Sequence, residues 1–340
     1  MISSREELVE TLEKINGVPT LVVGDIILDR YIWGQVKRIS PEAPVPVVNV
    51  QKVEDRLGGA GNAVRNLCGI GAKVSLCCLI GDDEEGQIVL KLLEEGNVDK
   101  DGVMIDRGHP TCFKTRVIAH SQQVVRIDRE ETVMRGVALR EGLAAVVDEH
   151  LDSCKVAIVS DYGKGTVSES VIARLIKARS EGRIGLDVRP LVVDPSPVNY
   201  DVYSGISVAK PNRREAEIAS GILINSRETA LEAGKVLIKK WKAEMMVISL
   251  GEDGLMIVSS EKDNGIFLET VAKEVFDVSG AGDTVTSVFS AALGVGASPS
   301  VAGDLANIAA GVVVSEVGTV PIDYDKLRNA IDRFLPVRSK

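Results

Sequence analysis

Hydrophobic residues follow two alternating patterns along most of the chain. Short runs rich in Val, Ile and Leu are apolar at every position, which is typical of strands buried on both faces of a parallel sheet. The stretches between them carry apolar residues three and four positions apart, which predicts amphipathic helices. This alternation predicts an α/β fold. The predicted strands cover residues 20–24, 74–80, 156–160, 191–194, 206–209 and 245–250.

Capping signals place the starts of two of these helices. Glu169 follows Thr166 by three residues, which is the spacing of a capping box. Ser226 precedes another amphipathic stretch, and a serine is a favourable N-cap residue. Helices are therefore predicted to begin at these two positions.

Residues 31–53 and 111–128 interrupt the alternation of strands and helices. Residues 41–48 read PEAPVPVV, and proline that alternates with valine is compatible with an edge strand but not with a central one. Both segments are therefore predicted to form strands outside the main sheet. We expect one domain over residues 1–340, into which these two segments are inserted as a small β lid.

Composition limits the classes of function. The 340 residues, 45% of them hydrophobic, are enough for one large core. A net charge of −9 and a pI near 5.1 argue against a nucleic-acid partner, although a local basic pocket can still bind a phosphorylated small molecule. The N-terminus is charged and no apolar run reaches about 18 residues, so we expect no membrane span and a cytoplasmic protein.

Residues 277–284 read DVSGAGDT and lead into an apolar, helix-like run. Gly280, Ala281 and Gly282 have little or no side chain, so their backbone N–H groups can approach an anion at a helix N-terminus. Asp283 would repel a phosphoryl group unless it accepted a proton from an attacking hydroxyl. The pattern indicates phosphoryl transfer to an alcohol, and the alternative is a glycine-rich turn in which Asp283 only caps the helix.

Polar residues near the N-terminus form a second candidate site. Residues 24–29 read GDIILD, and they place two carboxylates at the end of the first predicted strand, where open α/β sheets bind ligands. Residues 57–62 read LGGAGN and precede a helix. Carboxylates and an amide suit the hydroxyls of a polyol, whereas a solvated turn and close backbone packing are the alternatives. The candidate residues are Asp25, Asp29, Gly58, Gly59 and Asn62.

Two further motifs follow predicted strands. In residues 210–215, KPNRRE, Asn212 and Glu215 are three positions apart, which would let both face a hydrated Mg²⁺, or else cap a helix. Residues 249–254, SLGEDG, fit either a hairpin turn or a loop that contacts a nucleotide.

The order of these motifs resembles the ribokinase-like (PfkB-type) carbohydrate kinases over nearly the whole chain. The resemblance implies a doubly wound, mostly parallel sheet flanked by helices, with a β lid, and ATP as phosphoryl donor. It implies that Asp283 is the catalytic base, that residues 280–282 form an anion hole, and that Asn212 and Glu215 organise Mg²⁺ and the phosphates. Ser249, Gly251, Gly254 and Asn307 would lie along the nucleotide, and Asp277, Ser315 and Gly318 would bind a monovalent cation such as K⁺.

A narrower resemblance involves residues 38–48, 55–66, 126–128, 160–165 and 307–314, which are similar to kinases of D-glycero-D-manno-heptose 7-phosphate. It implies ATP-dependent phosphorylation of the anomeric hydroxyl to the 1,7-bisphosphate, in the synthesis of ADP-heptose for lipopolysaccharide core. The alternatives are a family kinase for another sugar or sugar phosphate, and a non-catalytic sugar- or nucleotide-binding regulator. Basic candidates for binding the substrate phosphate are Arg56, Arg116, Arg126 and Lys164, of which Lys164 is preferred.

The sequence also departs from these relatives. Many of them carry a nucleotidyltransferase module with a His-x-Gly-His motif, which the three histidines of this chain do not form. We therefore expect a stand-alone kinase, with the adenylyl step left to another protein. Gly61 stands where an alanine is usual, Ser279 where a threonine is common and Ser196 where a lysine is frequent. These departures leave the expected reaction intact and the identity of the sugar open. Pairing of lids between two copies would cover strand edges, so a homodimer is expected.

Overall fold

A computed structural model describes residues 2–335, apart from residues 121, 132, 133, 263, 273, 274 and 317. Within these residues the strands form one large and one small sheet. In chain order the strands are β1 (Pro19–Gly24), β2 (Ile26–Ile39), β3 (Pro46–Gly59), β4 (Lys73–Gly81), β5 (Val103–Asp106), β6 (Phe113–Ala119), β7 (Gln122–Arg129), β8 (Val156–Ser160), β9 (Leu191–Asp194), β10 (Val208–Ala209), β11 (Met245–Ser249), β12 (Leu255–Ser259) and β13 (Ile266–Leu268). The α-helices are α1 (Arg5–Ile15), α2 (Ala60–Gly69), α3 (Glu84–Glu95), α4 (Val137–Leu151), α5 (Glu169–Ser180), α6 (Arg213–Ser220), α7 (Arg227–Trp241), α8 (Ala281–Gly294), α9 (Pro299–Val313) and α10 (Tyr324–Phe334).

The large sheet confirms the predicted α/β fold. Its strand order is β13-β12-β11-β10-β9-β8-β1-β4-β5. The strands from β11 to β5 in this order are parallel, whereas β12 and β13 are antiparallel additions at one edge. Because the central strands are parallel, their carboxyl ends lie at one edge of the sheet, where the loops that follow them come together.

Two apolar layers cover the faces of the large sheet. Successive side chains of a strand point to opposite faces, so Val22 of β1 joins one layer and Leu21 and Val23 join the other. Helices α1, α2, α3, α8, α9 and α10 contribute to the first layer, and α4, α5, α6 and α7 contribute to the second. Across the described residues, no helix is long and apolar enough to cross a membrane.

Three strands of the large sheet were not predicted. They are β5, β12 and β13, which contain four, five and three residues. Strand β12 runs antiparallel to β11 after a short turn over Gly251–Asp253, so residues 249–254 do form a hairpin connection. Strand β10 is shorter than predicted, because only Val208 and Ala209 pair with both neighbours.

The small sheet contains the two segments that interrupt the sequence pattern. Its order is β3-β2-β6-β7, so β3 is an edge strand, and Pro46 is its first residue, where no N–H is needed for pairing. The strands extend past the predicted bounds, since β2 starts at Ile26 and β3 ends at Gly59. Residue 121 of the second segment lies outside the described residues.

One of the two predicted helix caps is wrong. Helix α5 is capped by Ser168, whose hydroxyl accepts the N–H of Val171. Thr166 lies two residues before this cap, in the loop that precedes α5, and its backbone N–H donates to the Asp25 carboxylate and not to the side chain of Glu169. The cap at Ser226 is confirmed, and it forms a capping box with Thr229.

Candidate active site

Helix α8 begins at the carboxyl edge of the large sheet with the residues of the DVSGAGDT motif. Gly280 is its N-cap residue and has a φ of +80°, in the left-handed region that favours glycine. A Cβ at this position would lie 2.7 Å from the side-chain nitrogen of Asn62 and 2.8 Å from Thr319. No side chain among the described residues caps the helix. The N–H of Ala281 donates to the carbonyl of Val278 at 3.2 Å, whereas the N–H groups of Gly282 and Asp283 remain available to an anion.

The carboxylate of Asp283 lies in the first turn of α8 and is 7% exposed. It accepts hydrogen bonds from the Asn62 amide, at 2.8 Å, and from the Tyr162 hydroxyl, at 2.5 Å. Burial raises the pKa of Asp283 to about 6, although these two bonds and Lys210 lower it and Asp194 raises it further. A carboxylate with a pKa in this range is suited to accepting a proton near neutral pH.

A cleft of about 970 Å³ opens directly at this helix terminus. It runs along the carboxyl ends of β8, β9, β10 and β11, and its size is within the range of small-molecule sites. The sequence-predicted residues that line it are Asn212, Glu215, Ser249, Gly251, Gly254, Gly280, Ala281, Gly282, Asp283 and Asn307. The structure thus brings together motifs that are separated by up to about a hundred residues.

Asn212 and Glu215 form a capping box at the start of α6, which was the alternative considered for this spacing. The Asn212 side chain accepts the N–H of Glu215, and the Glu215 carboxylate accepts the N–H of Asn212. Burial raises the pKa of Glu215, and nearby Asp194 adds to this effect. These oxygen donors fit a hydrated Mg²⁺, although no cluster of three or more His, Cys, Asp or Glu in the described chain forms a metal cage.

Lys210 and Asp194 lie in the cleft and were not singled out from the sequence. The Lys210 ammonium is 3.2 Å from Asp194, and the residue is 3% exposed. A Cβ at Gly282 would lie 3.7 Å from this ammonium, so Lys210 faces the first turn of α8. The sequence signal for Lys210 is that it is the first residue of the 210–215 motif, two positions before Asn212. The pair places a buried positive charge beside the candidate phosphate site.

Asp25 holds the loop that follows β8. Its carboxylate accepts the backbone N–H groups of Tyr162, Lys164 and Thr166, each at 2.9 Å. Asp25 is 1% exposed. The structure therefore shows a positioning contact for Asp25, while its contact with a sugar stays a prediction.

Asp29, Gly58 and Gly59 lie where the small sheet joins the large domain. Asp29 on β2 forms an ion pair with Arg116 on β6 at 2.5 Å. A Cβ at Gly58 would lie 2.2 Å from the Asp29 carboxylate, and one at Gly59 would lie 2.4 Å from the carbonyl oxygen of Asp25. The two glycines therefore let β3 and the start of α2 approach these acidic residues closely.

The four basic candidates for a substrate phosphate all have acidic partners. Lys164 pairs with Glu130, and Arg126 with Asp128, both at 2.9 Å. The other two, Arg56 and Arg116, pair with Glu54 and Asp29. None of the four lines the large cleft, and a phosphate would have to share or displace these partners.

Two of the three residues predicted to bind a monovalent cation lie close together, and the third side chain is turned away from them. Asp277 accepts the N–H of Gly318 at 3.1 Å and that of Ser279 at 2.8 Å. The hydroxyl of Ser315 instead donates to the carbonyl of Val312. The structure therefore places Asp277 beside Gly318, with the Ser315 hydroxyl turned to its own helix end.

Curated relatives of this chain cover almost all of it. It is 39% identical over 327 residues to the bifunctional protein HldE of Pelobacter propionicus, which covers 96% of this chain and 66% of that protein. It is 41% identical over 303 residues to the bifunctional protein HldE of Geobacter metallireducens, with coverages of 89% and 60%. The chain thus spans slightly less than two thirds of the length of these relatives.

Solved structures show the same fold at low sequence identity. The Arabidopsis thaliana ribokinase complexed with ribose and ATP has a TM-score of 0.70 at 18% identity, and covers 94% of this chain and 99% of its own. Phosphofructokinase-2 from Escherichia coli, in complex with substrates and products, has a TM-score of 0.72 at 19% identity, with coverages of 94% and 100%.

The family model for pfkB family carbohydrate kinases matches residues 20–325. This range contains every residue that lines the large cleft, including the start of α8. The chain therefore belongs to the pfkB family of carbohydrate kinases, phosphotransferases that use ATP to phosphorylate a sugar hydroxyl.

Proposed function

We propose that this chain phosphorylates the anomeric hydroxyl of D-glycero-D-manno-heptose 7-phosphate and yields the 1,7-bisphosphate, a precursor of the ADP-heptose used for lipopolysaccharide core. The observation that carries the phosphotransfer is the buried Asp283 carboxylate beside the uncapped N-terminus of α8. The choice of sugar is supported by identity of about 40% to HldE proteins across the chain.

In the proposed mechanism, the sugar oxygen attacks the γ-phosphorus in line while Asp283 accepts the hydroxyl proton. The bond between the γ-phosphorus and the bridging oxygen breaks, and ADP leaves. Backbone N–H groups of residues 280–282 and the Lys210 ammonium would stabilise negative charge on the transferred group, and the N–H of Ala281 would exchange its present bond to the Val278 carbonyl for this contact. The groups that stabilise the transition state most are those already held in position, since they need little reorganisation during the reaction.

ATP would occupy the large cleft, along Ser249, Gly251, Gly254 and Asn307. Asn212 and Glu215 would hold Mg²⁺ through water, and the ion would neutralise charge on the phosphates. Asp277, Ser315 and Gly318 would supply oxygen ligands to K⁺.

The small sheet would act as a lid over the sugar, inserted into one kinase domain that spans residues 1–340. Its β2 and β3 connect directly to β1 and α2, so a movement of the sheet would shift residues beside Asp283. Asp29, Gly58, Gly59 and Asn62 would bind the sugar hydroxyls at this junction. Closure would exclude water from the transferred phosphoryl group.

The small sheet also supports a homodimer. Val53, Ile32, Val117 and Val125 are direct cross-strand neighbours and form an apolar row across its four strands. The two residues on the edge strands, Val53 and Val125, are 52% and 46% exposed. A second copy would cover this row. Sedimentation should show a dimer that Val125→Lys weakens, and a wild-type monomer would contradict this part of the proposal.

The first test is to offer the purified protein ATP with heptose 7-phosphate, ribose, fructose 6-phosphate or unphosphorylated heptose. The product position is read by phosphorus NMR. Selective formation of the 1,7-bisphosphate supports the proposal, whereas turnover of another substrate keeps the kinase and rejects the heptose. Absence of turnover with every sugar would favour a sugar- or nucleotide-binding regulator.

A further inference from the structure

Tyr162 connects the loop after β8 to the start of α8. Its backbone N–H donates to Asp25, and its hydroxyl donates to Asp283 at 2.5 Å. The residue lines the large cleft and is 39% exposed. Its side chain therefore spans part of the open cleft and does not pack in the core.

The two donors to Asp283 differ in how firmly they are held. Asn62 is 2% exposed and belongs to α2, where its carbonyl oxygen also accepts the side chain of Asn66. Tyr162 reaches Asp283 from a loop and across the cleft. The contact from Tyr162 therefore depends on the position of a loop beside the cleft, whereas the contact from Asn62 depends on a helix.

Tyr162 occupies the carboxylate oxygen of Asp283 that Asn62 does not contact. Asn62 donates to Oδ2 of Asp283, and Tyr162 donates to Oδ1. An acceptor hydroxyl must place its own O–H against this carboxylate before it attacks the γ-phosphorus. The Tyr162 hydroxyl stands as a donor where the sugar hydroxyl, or a water molecule, would otherwise stand.

We infer that Tyr162 is a positioning residue that acts through Asp283: it orients the carboxylate and covers it against water until the acceptor sugar displaces or shares the contact. This inference rests on the proposed role of Asp283 as the base. In wasteful hydrolysis, a water oxygen would attack the γ-phosphorus, its proton would pass to Asp283, and ADP would leave. Tyr162 suppresses that reaction by occupying the site of the attacking water.

Three other groups face Asp283, and together they determine how removal of the Tyr162 hydroxyl should change the pKa of this carboxyl. Asn62 faces it from α2, Asp194 from the end of β9, and Lys210 from the segment after β10. Tyr162→Phe leaves these three unchanged and removes one hydrogen bond that favours the charged carboxylate. The pKa of Asp283 should therefore rise in the variant.

The test compares wild type, Tyr162→Phe and the control Tyr324→Phe, which alters a tyrosine on the distant α10. In Tyr162→Phe we expect ATP hydrolysis without sugar to increase about threefold to tenfold, and the acid limb of kcat/KM to move up by about one pH unit. The control variant should match wild type in both its rate of ATP hydrolysis and the position of its acid limb. Because Tyr162 is partly exposed, the phenylalanine variant should fold with a similar Tm.

Unchanged hydrolysis together with an unmoved acid limb would overturn the inference, and so would a lowered Tm with an unmoved limb, which indicates a structural role. The hydrolysis ratio is measured without sugar and therefore does not depend on which sugar is the substrate. Failure of wild type to phosphorylate heptose 7-phosphate would reject the proposed sugar and leave the comparison of hydrolysis rates valid, while the acid limb would be measured with whichever sugar is turned over.

Discussion

The side-chain amide of Asn62 donates a 2.8 Å hydrogen bond to the carboxylate of Asp283, 221 residues further along the chain. Asn62 lies in the first turn of α2, which begins where β3 of the small sheet ends. The proposed base is therefore held by an element continuous with the proposed lid. Any shift of β3 on sugar binding would reach Asp283 through this bond.

The pH dependence of sugar phosphorylation should report Asp283. Since the base must be deprotonated and burial raises its pKa to about 6, kcat/KM should fall as the pH drops through about 6. Asn62→Ala should move this limb to higher pH, because the charged carboxylate loses a donor. If the acid limb of kcat/KM came from protonation of ATP, it would lie at the same pH in wild type and in Asn62→Ala. An acid limb that does not move would therefore argue against Asp283 as its origin.

Asp283→Asn should abolish most turnover while the fold persists. We expect kcat to fall about 10²-fold or more, the scale of general-base losses, since the amide cannot accept the sugar proton. ATP affinity, measured by calorimetry, should change little. Near-normal turnover would refute the proposed role of Asp283.

The same variant should be more stable than wild type at high pH. A carboxyl pKa raised from 3.8 to about 6 stabilises the folded state at low pH, and this contribution is lost as the pH rises through about 6. Asp283→Asn removes the penalty for burying the charge. Its free energy of unfolding should exceed that of wild type by about 1–3 kcal/mol near pH 8 and by little near pH 4. Denaturant titration at both pH values measures this, and an equal difference at the two would contradict it.

Gly280 and Gly282 should respond differently to alanine. Gly280→Ala places a Cβ on a residue with a positive φ and brings it against Asn62. We therefore expect the free energy of unfolding to fall by about 2 kcal/mol or more, and turnover to be reduced. A Cβ at Gly282 meets only Lys210, at 3.7 Å, and alanine favours the helix. Thermal melts should show a lower Tm for Gly280→Ala alone, and equal effects would exclude the local geometry as the cause.

The large sheet was mostly predictable because burial on both faces leaves continuous apolar runs such as β8 and β9. Strand β13 was missed since it has only three residues and pairs with β12 alone at the sheet edge. Strand β12 is as long and as apolar as β8, and it was missed because only the turn at Gly251–Asp253 and its two flanking residues separate it from β11. The first residues of β2 were missed because only Asp25 separates them from β1, and sequence periodicity does not reveal where a chain leaves one sheet for another.

Candidate site residues could be predicted where the backbone motif itself is distinctive, as at Gly280 and Asp283. Tyr162 and Lys210 were missed because their importance depends on partners distant in sequence: Tyr162 contacts Asp283 across 121 residues. The role of Asp25 was also open, since a carboxylate at a strand end can bind a ligand or anchor a loop. Three backbone N–H groups at 2.9 Å show the anchoring contact.

Asp25→Ala separates these two roles. The substitution leaves the N–H groups of Tyr162, Lys164 and Thr166 without their acceptor. We therefore expect the free energy of unfolding to fall by about 2–4 kcal/mol, with a lower Tm. Asp25→Asn keeps one side-chain oxygen as an acceptor, so its free energy of unfolding should fall less than that of Asp25→Ala. If Asp25 served only to bind sugar, both variants would raise the KM for sugar with an unchanged Tm. Because the loop also carries Tyr162, the anchoring role predicts that sugar-independent ATP hydrolysis increases in Asp25→Ala as the Tm falls.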